Sequence, residues 1–167
     1  IYSKSRELYG LYLAKHAIVK QNRCYLVEGY MDVIAMHQSG IENVVASSGT
    51  SLTEGQIRLI HRFTDNITVL YDGDSAGIHA SLRGIDMLLA EGLNVKVLLL
   101  PDGDDPDSFA RKHSAADFQN YVETRQVDFI RFKTRLLLND AADDPVKRAS
   151  LVQDVVNSIA VIPDGIV

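Results

Sequence analysis

The chain has 167 residues, 22 acidic against 17 basic side chains for a net charge of −5, and a hydrophobic content of 46%. That length suits one domain or one domain with a small appendage, and the apolar content is ample for a core. No apolar run reaches the roughly 18 residues that span a bilayer, and the single Cys24 excludes an internal disulfide framework and fits a reducing cytosol.

Taken in chain order, residues 5–19 are expected as an amphipathic helix, with Leu8, Leu11, Tyr12 and Ile18 near helical spacing. A strand through Val27 follows, then a helix from about Tyr30 to Gln38 closed by Ser39-Gly40. Asn43 to Ala46 forms the second strand. Thr53-Glu54-Gly55-Gln56 has the pattern of a capping box opening a helix to about Arg62. The third strand runs from Ile67 to Tyr71, and Ser75 to Glu91 is a long helix stopped by Gly92. The fourth strand, built on Val95 to Leu100, ends at Pro101. Strand and helix alternate four times across residues 23–113, which is the pattern of a parallel βαβ sheet. Beyond it, residues 115–122, 126–138 and 145–162 are expected as helices without intervening strands. The ends, Ile1 and Val167, read as cuts within a longer polypeptide.

Acidic residues gather where the strands end: Glu28 in Val-Glu-Gly-Tyr-Met-Asp, then Asp72-Gly73-Asp74, then Asp104-Asp105-Pro106-Asp107. Ligands in open α/β sheets bind outside the carboxyl ends of the strands. Carboxylates converging there repel one another unless protons or cations neutralise them. Oxygen-only ligation, without His or Cys nearby, points to Mg2+ or Mn2+ rather than zinc.

Each cluster also has an ordinary explanation. Glu28 sits at a helix N-terminus, where a carboxylate is stabilised by up to about 1 kcal/mol. Asp72-Gly73 could form a hairpin turn, but a long helix follows rather than a second strand. Alternate residues of an extended segment would put Asp72 and Asp74 on one side, able to share a cation. Asp105 before Pro106 is a normal N-cap with proline in the first turn, and Asp107 follows it. Asp32 lies about one helical turn beyond Glu28. Ser48-Gly49-Thr50 could cradle a phosphate through backbone N–H groups or be a tight turn. Acidic balance argues mildly against nucleic acid. Lys4, Arg6, Lys15, Lys20 and Arg23 against Glu7 in the first 23 positions soften that objection.

The Glu after the first strand and the Asp-x-Asp after the third resemble the Toprim module of primases, topoisomerases, nucleases and recombination-repair proteins. More narrowly, five segments resemble bacterial DnaG-type primases over nearly the whole chain: Leu8-Tyr9-Gly10-Leu11, Glu28-Gly29-Tyr30-Met31-Asp32-Val33, Ala46-Ser47-Ser48-Gly49-Thr50, Tyr71-Asp72-Gly73-Asp74-Ser75-Ala76-Gly77, and Leu100-Pro101-Asp102-Gly103-Asp104-Asp105-Pro106-Asp107. The resemblance implies an α/β fold, a Toprim-type, Rossmann-like parallel sheet of about four strands with a helical C-terminal segment, and a site shared by Glu28 and Asp72 would make their strands neighbours, giving the spatial order 2-1-3-4. The resemblance divides the chain into residues 1–22 (the end of a basic N-terminal subdomain), 23–113 (the metal-binding core) and 114–167 (a helical subdomain).

By the same resemblance, Glu28, Asp72 and Asp74 would bind Mg2+ or Mn2+. Asp32, Asp105 and Asp107 would be further catalytic acids, and Lys4 would contact nucleotide or template. The implied activity is metal-dependent nucleotidyl transfer that makes short RNA primers on single-stranded DNA. The partners would be the DNA template, ribonucleoside triphosphates, the RNA primer and, through a C-terminal domain beyond this chain, the replicative helicase. Zinc is expected only in an N-terminal domain, also beyond it, no membrane is implied, and the expected location is the cytoplasm at the replication fork.

Three other readings share part of this pattern. A Toprim nuclease or topoisomerase shares the metal logic, but a topoisomerase needs a catalytic Tyr, and none of the seven tyrosines is an obvious candidate. A haloacid-dehalogenase phosphatase opens its first strand, not its third, on Asp-x-Asp. A binding module would hold a cation or partner without catalysis.

Overall fold

The computed structural model describes residues 6–47, 52–71, 75–141 and 144–163. Five strands form one sheet in the order β2-β1-β3-β4-β5: β1 Cys24–Val27, β2 Val44–Ala46, β3 Asn66–Tyr71, β4 Asn94–Leu99 and β5 Val127–Asp128. The expected order 2-1-3-4 is therefore present, with a fifth strand added at one edge. The first four are parallel, with Tyr25 opposite Val44, Leu26 opposite Val69, and Val69 opposite Val97. Parallel neighbours need crossover connections. Helices α2 (Tyr30–Gln38), α3 (Glu54–His61) and α4 (Ser75–Ala90) supply them.

Helices on both sides make the inner strands apolar throughout, and β1 and β2 are buried at every position. The alternation of a strand divides β1 between two cores. Cys24 and Leu26 pack with Ile57, Ile60, Ile85, Leu88 and Phe129 on one face. Tyr25 and Val27 pack with Val33, Met36, Phe109, Phe118 and Val122 on the other. The second core draws on α5 (Pro106–Lys112) and α6 (Ala115–Thr124). Phe118 is wholly buried there, a contribution of about 1.5–3 kcal/mol.

Three elements differ from the sequence expectation. The first helix, α1, runs Leu11–Gln21 rather than from residue 5. Gly10 takes a left-handed φ of 83°, and Tyr9 pairs its backbone N–H and C=O with Ala46, so this stretch joins the sheet edge before the helix begins. Residues 126–138 are not wholly helical. Val127–Asp128 form β5, antiparallel to β4, before α7 (Phe129–Ala141). Lys96 faces Asp128 in that register, an opposite-charge pairing that favours a short edge strand. The fourth strand ends at Leu99 rather than Pro101, and Pro101–Gly103 turn as a short 3-10 helix. The last helix, α8, is Pro145–Ala160. No described helix is long and apolar enough to cross a membrane.

Candidate active site

Glu28 follows the last residue of β1 and is exposed. Its strand is hydrogen-bonded to β3, and β3 ends at Tyr71, immediately before Asp72. Neighbouring strands lie about 4.8 Å apart, so the carboxyl ends of β1 and β3, at Val27 and Tyr71, lie side by side at the same end of the sheet. Asp72, Asp74, Lys4 and Ser48-Gly49-Thr50 lie outside the described residues. Among the described residues Glu28 makes no hydrogen bond or ion pair. No group of three or more His, Cys, Asp or Glu side chains placed to hold a metal is complete among them.

Asp32 has a defined partner set. It lies in the first turn of α2, and its Oδ2 accepts a hydrogen bond from the Gly29 backbone N–H at 3.0 Å. A Cβ at Gly29 would sit only 3.1 Å from that oxygen, so glycine there makes room for the carboxylate itself. Burial pushes the Asp32 carboxyl above its ordinary range, and the charges of Asp105 and Asp107 add to the effect, while the backbone N–H groups of Gly29 and Asp107 act against it. Helix α2 packs on α5, and Asp32, Asp105 and Asp107 therefore converge where the two helices begin.

Asp105 is the N-cap of α5: its Oδ1 accepts from the Ser108 backbone N–H at 2.7 Å, and Pro106 occupies the first turn. Such a cap is worth about 1 kcal/mol. Asp107 pairs with Arg111 one turn along the same helix. The cap anticipated from sequence is formed, alongside the approach to Asp32, and the Asp107–Arg111 pair is added by the structure.

Asp104, adjacent in sequence to Asp105 and Asp107, stands apart from them. It is buried, and its Oδ1 accepts from Lys112 Nζ at 2.6 Å and Ser108 Oγ at 2.7 Å. Those bonds, the Lys112 one above all, hold its carboxyl below the ordinary range. Its partner lies eight residues away across a helix start, a spacing with no local signature. Among the described residues, the chemistry available here is thus an exposed carboxylate directly after β1 and an acidic turn formed by Asp32, Asp105 and Asp107.

Residues 25–110 match the Toprim-like family. The chain is 38% identical to the DNA primase of Halalkalibacterium halodurans over 161 residues, 96% of this chain and 27% of that protein. It is 46% identical to the DNA primase of Clostridium acetobutylicum over 126 residues, 74% of this chain and 20% of that protein. Among solved structures, a DNA primase domain from Pseudomonas aeruginosa superposes with a TM-score of 0.85 at 32% identity, covering 98% of this chain and 52% of that one. A DnaG primase catalytic domain bound to single-stranded DNA superposes with a TM-score of 0.84 at 36% identity, covering 98% and 54%. The chain spans about a quarter of the length of the curated relatives it matches. Matched across more than half its length, and similar to DNA primases over nearly all of it, the chain belongs to the Toprim-like family.

Proposed function

We propose that the chain is the metal-binding catalytic core of a DNA primase, a nucleotidyltransferase that joins ribonucleotides into short RNA primers on a single-stranded DNA template. The observation that supports this reading is the adjacency of the parallel strands β1 and β3, which Glu28 and Asp72 follow directly in the sequence. Similarity to DNA primases over 96% of the chain supports the same reading.

Glu28, Asp72 and Asp74 would hold one or two Mg2+ or Mn2+ ions, to which an all-oxygen donor set is suited. Bound there, the metal supplies neutralisation of triphosphate charge and a more acidic primer 3′-hydroxyl. Glu28, exposed and unpaired among the described residues, is free to meet it. Asp32, held by the Gly29 N–H, braces the turn that presents Glu28. Asp105 and Asp107 add negative charge beside Asp32. Lys4 would face the triphosphate, and the backbone of Ser48-Gly49-Thr50 would receive phosphate oxygens. Catalysis then rests mainly on positioning and preorganised charge.

The test is primer synthesis by the full-length protein on single-stranded DNA with ribonucleoside triphosphates and Mg2+ or Mn2+. Synthesis that Glu28→Gln and Asp72→Asn abolish, with circular dichroism unchanged, is the expected result. Supercoil relaxation or strand cleavage without synthesis would overturn it in favour of another Toprim chemistry.

A further inference from the structure

Next to Glu28 the surface turns aromatic. Tyr30, two residues on, is 56% exposed, and its ring meets Tyr9 edge-on with centroids 6.0 Å apart. Tyr9 is itself 39% exposed and is fixed by its backbone pairing with Ala46 at the end of β2. Beyond Tyr9, on α1, Tyr12 is 79% exposed and Lys15 Nζ lies 4.6 Å from the centre of its ring. Tyr9 and Tyr12 line one open apolar groove between the start of α1 and helix α2. No hydroxyl of these three tyrosines has a hydrogen-bond partner among the described residues. A folded chain gains nothing from leaving three large rings in water, and two of them are fixed in place by backbone pairing and ring contact.

We infer that Tyr30 and Tyr9, continued by Tyr12 and Lys15, form a stacking platform for the bases of the single-stranded nucleic acid strand that enters the Glu28 site. This deepens the proposed primase reading and rests on it. Aromatic rings interleaved with cations are the usual surface for single strands, because every base offers a π-face whatever its sequence. Tyr9 and Tyr12 line an open groove rather than an enclosed pocket, which suits a polymer held by several weak contacts. A free nucleotide would find one ring face and no enclosure. Tyr30 begins α2 directly after Glu28-Gly29, so a base stacked on it would lie beside the carboxylate.

The experiment measures affinity of the full-length protein for oligo(dT) across a salt series. Tyr30→Leu and Tyr9→Leu each weaken binding by about tenfold, roughly 1.4 kcal/mol, at every salt concentration and with the slope of log Kd against log salt unchanged. Tyr30→Phe and Tyr9→Phe bind like the wild type. Lys15→Ala instead flattens that slope by about 0.7, as expected for one lost phosphate contact on a single strand. Mn2+ affinity stays the same in the tyrosine variants. Wild-type binding in both Leu variants, or Phe variants as weak as the Leu ones, overturns the platform. A rise confined to the ribonucleotide KM, with oligo(dT) affinity unchanged, also overturns it, because the base would then be the nucleotide's. A wild-type protein that makes no primers sinks the functional reading instead, so the two failures are distinguishable.

Discussion

Lys133 on α7 is a buried ammonium whose Nζ donates to Ser158 Oγ at 2.6 Å and stands 3.6 Å from Asp86 Oδ2. Ser158 Oγ in turn donates to Asp86 Oδ1 at 2.7 Å, so one triad ties α4, α7 and α8 together. The two charges are not equally exposed: the side chain of Lys133 retains 9% of its surface and that of Asp86 34%. Asp86→Ala strands the ammonium in a poorly hydrated site, and breaking a buried pair this way costs about 3 kcal/mol. Lys133→Met keeps the apolar stem and leaves a carboxylate that water reaches and Ser158 still bonds, a loss of about 1 kcal/mol. The difference, about 2 kcal/mol, corresponds to a factor of roughly 30 in the folding equilibrium. Urea unfolding at pH 7, with midpoints compared at constant slope, reads it directly. Finding Lys133→Met as costly as Asp86→Ala would refute this, and would mean that the cost lies in the Asp86 and Ser158 oxygens left without the lysine donor rather than in a stranded ammonium.

Other outcomes follow from the site. Glu28→Gln should remove Mn2+ binding, followed by electron paramagnetic resonance, while metal-free stability holds or rises because a charge leaves an acidic edge. Asp105→Ala removes the cap of α5 and should lower stability by about 1 kcal/mol in urea. Asp32 and Asp104 should tilt the pH dependence of urea midpoints in opposite directions. The folded chain holds the Asp32 proton more tightly than the unfolded one, so stability falls as pH rises above the ordinary carboxylate range, and Asp32→Asn removes that fall. Asp104 contributes stability above that range and loses it as pH drops through its lowered folded value, a loss that Asp104→Asn removes. Lys4→Ala should leave thermal stability nearly unchanged yet weaken nucleotide or template use tenfold or more in primer synthesis, about 1.4 kcal/mol.

Local chemistry determined much of this protein directly. Thr53 and Gln56 bond each other's backbones as a capping box, Asp105 caps α5 ahead of Pro106, and Tyr30–Gln38 is a helix with the bounds that its pattern implied. Alternating strands and helices restrict the sheet to few topologies, and a site shared by Glu28 and Asp72 would need the first and third strands to be neighbours, which they are. Features built from distant residues were not legible. Tyr9 leaves the expected first helix because Ala46, 37 positions on, offers its backbone as a partner. Val127–Asp128 are a strand only because β4 has a free edge with Lys96 opposite Asp128. The elevated Asp32 carboxyl depends on α5 packing against α2, and buried Lys133 depends on Asp86 and Ser158 from two other helices. Caps and periodicity act within one or two turns and are written in neighbouring residues. Edge pairing, burial and convergent charge are set by which surfaces meet, and only the folded chain decides that.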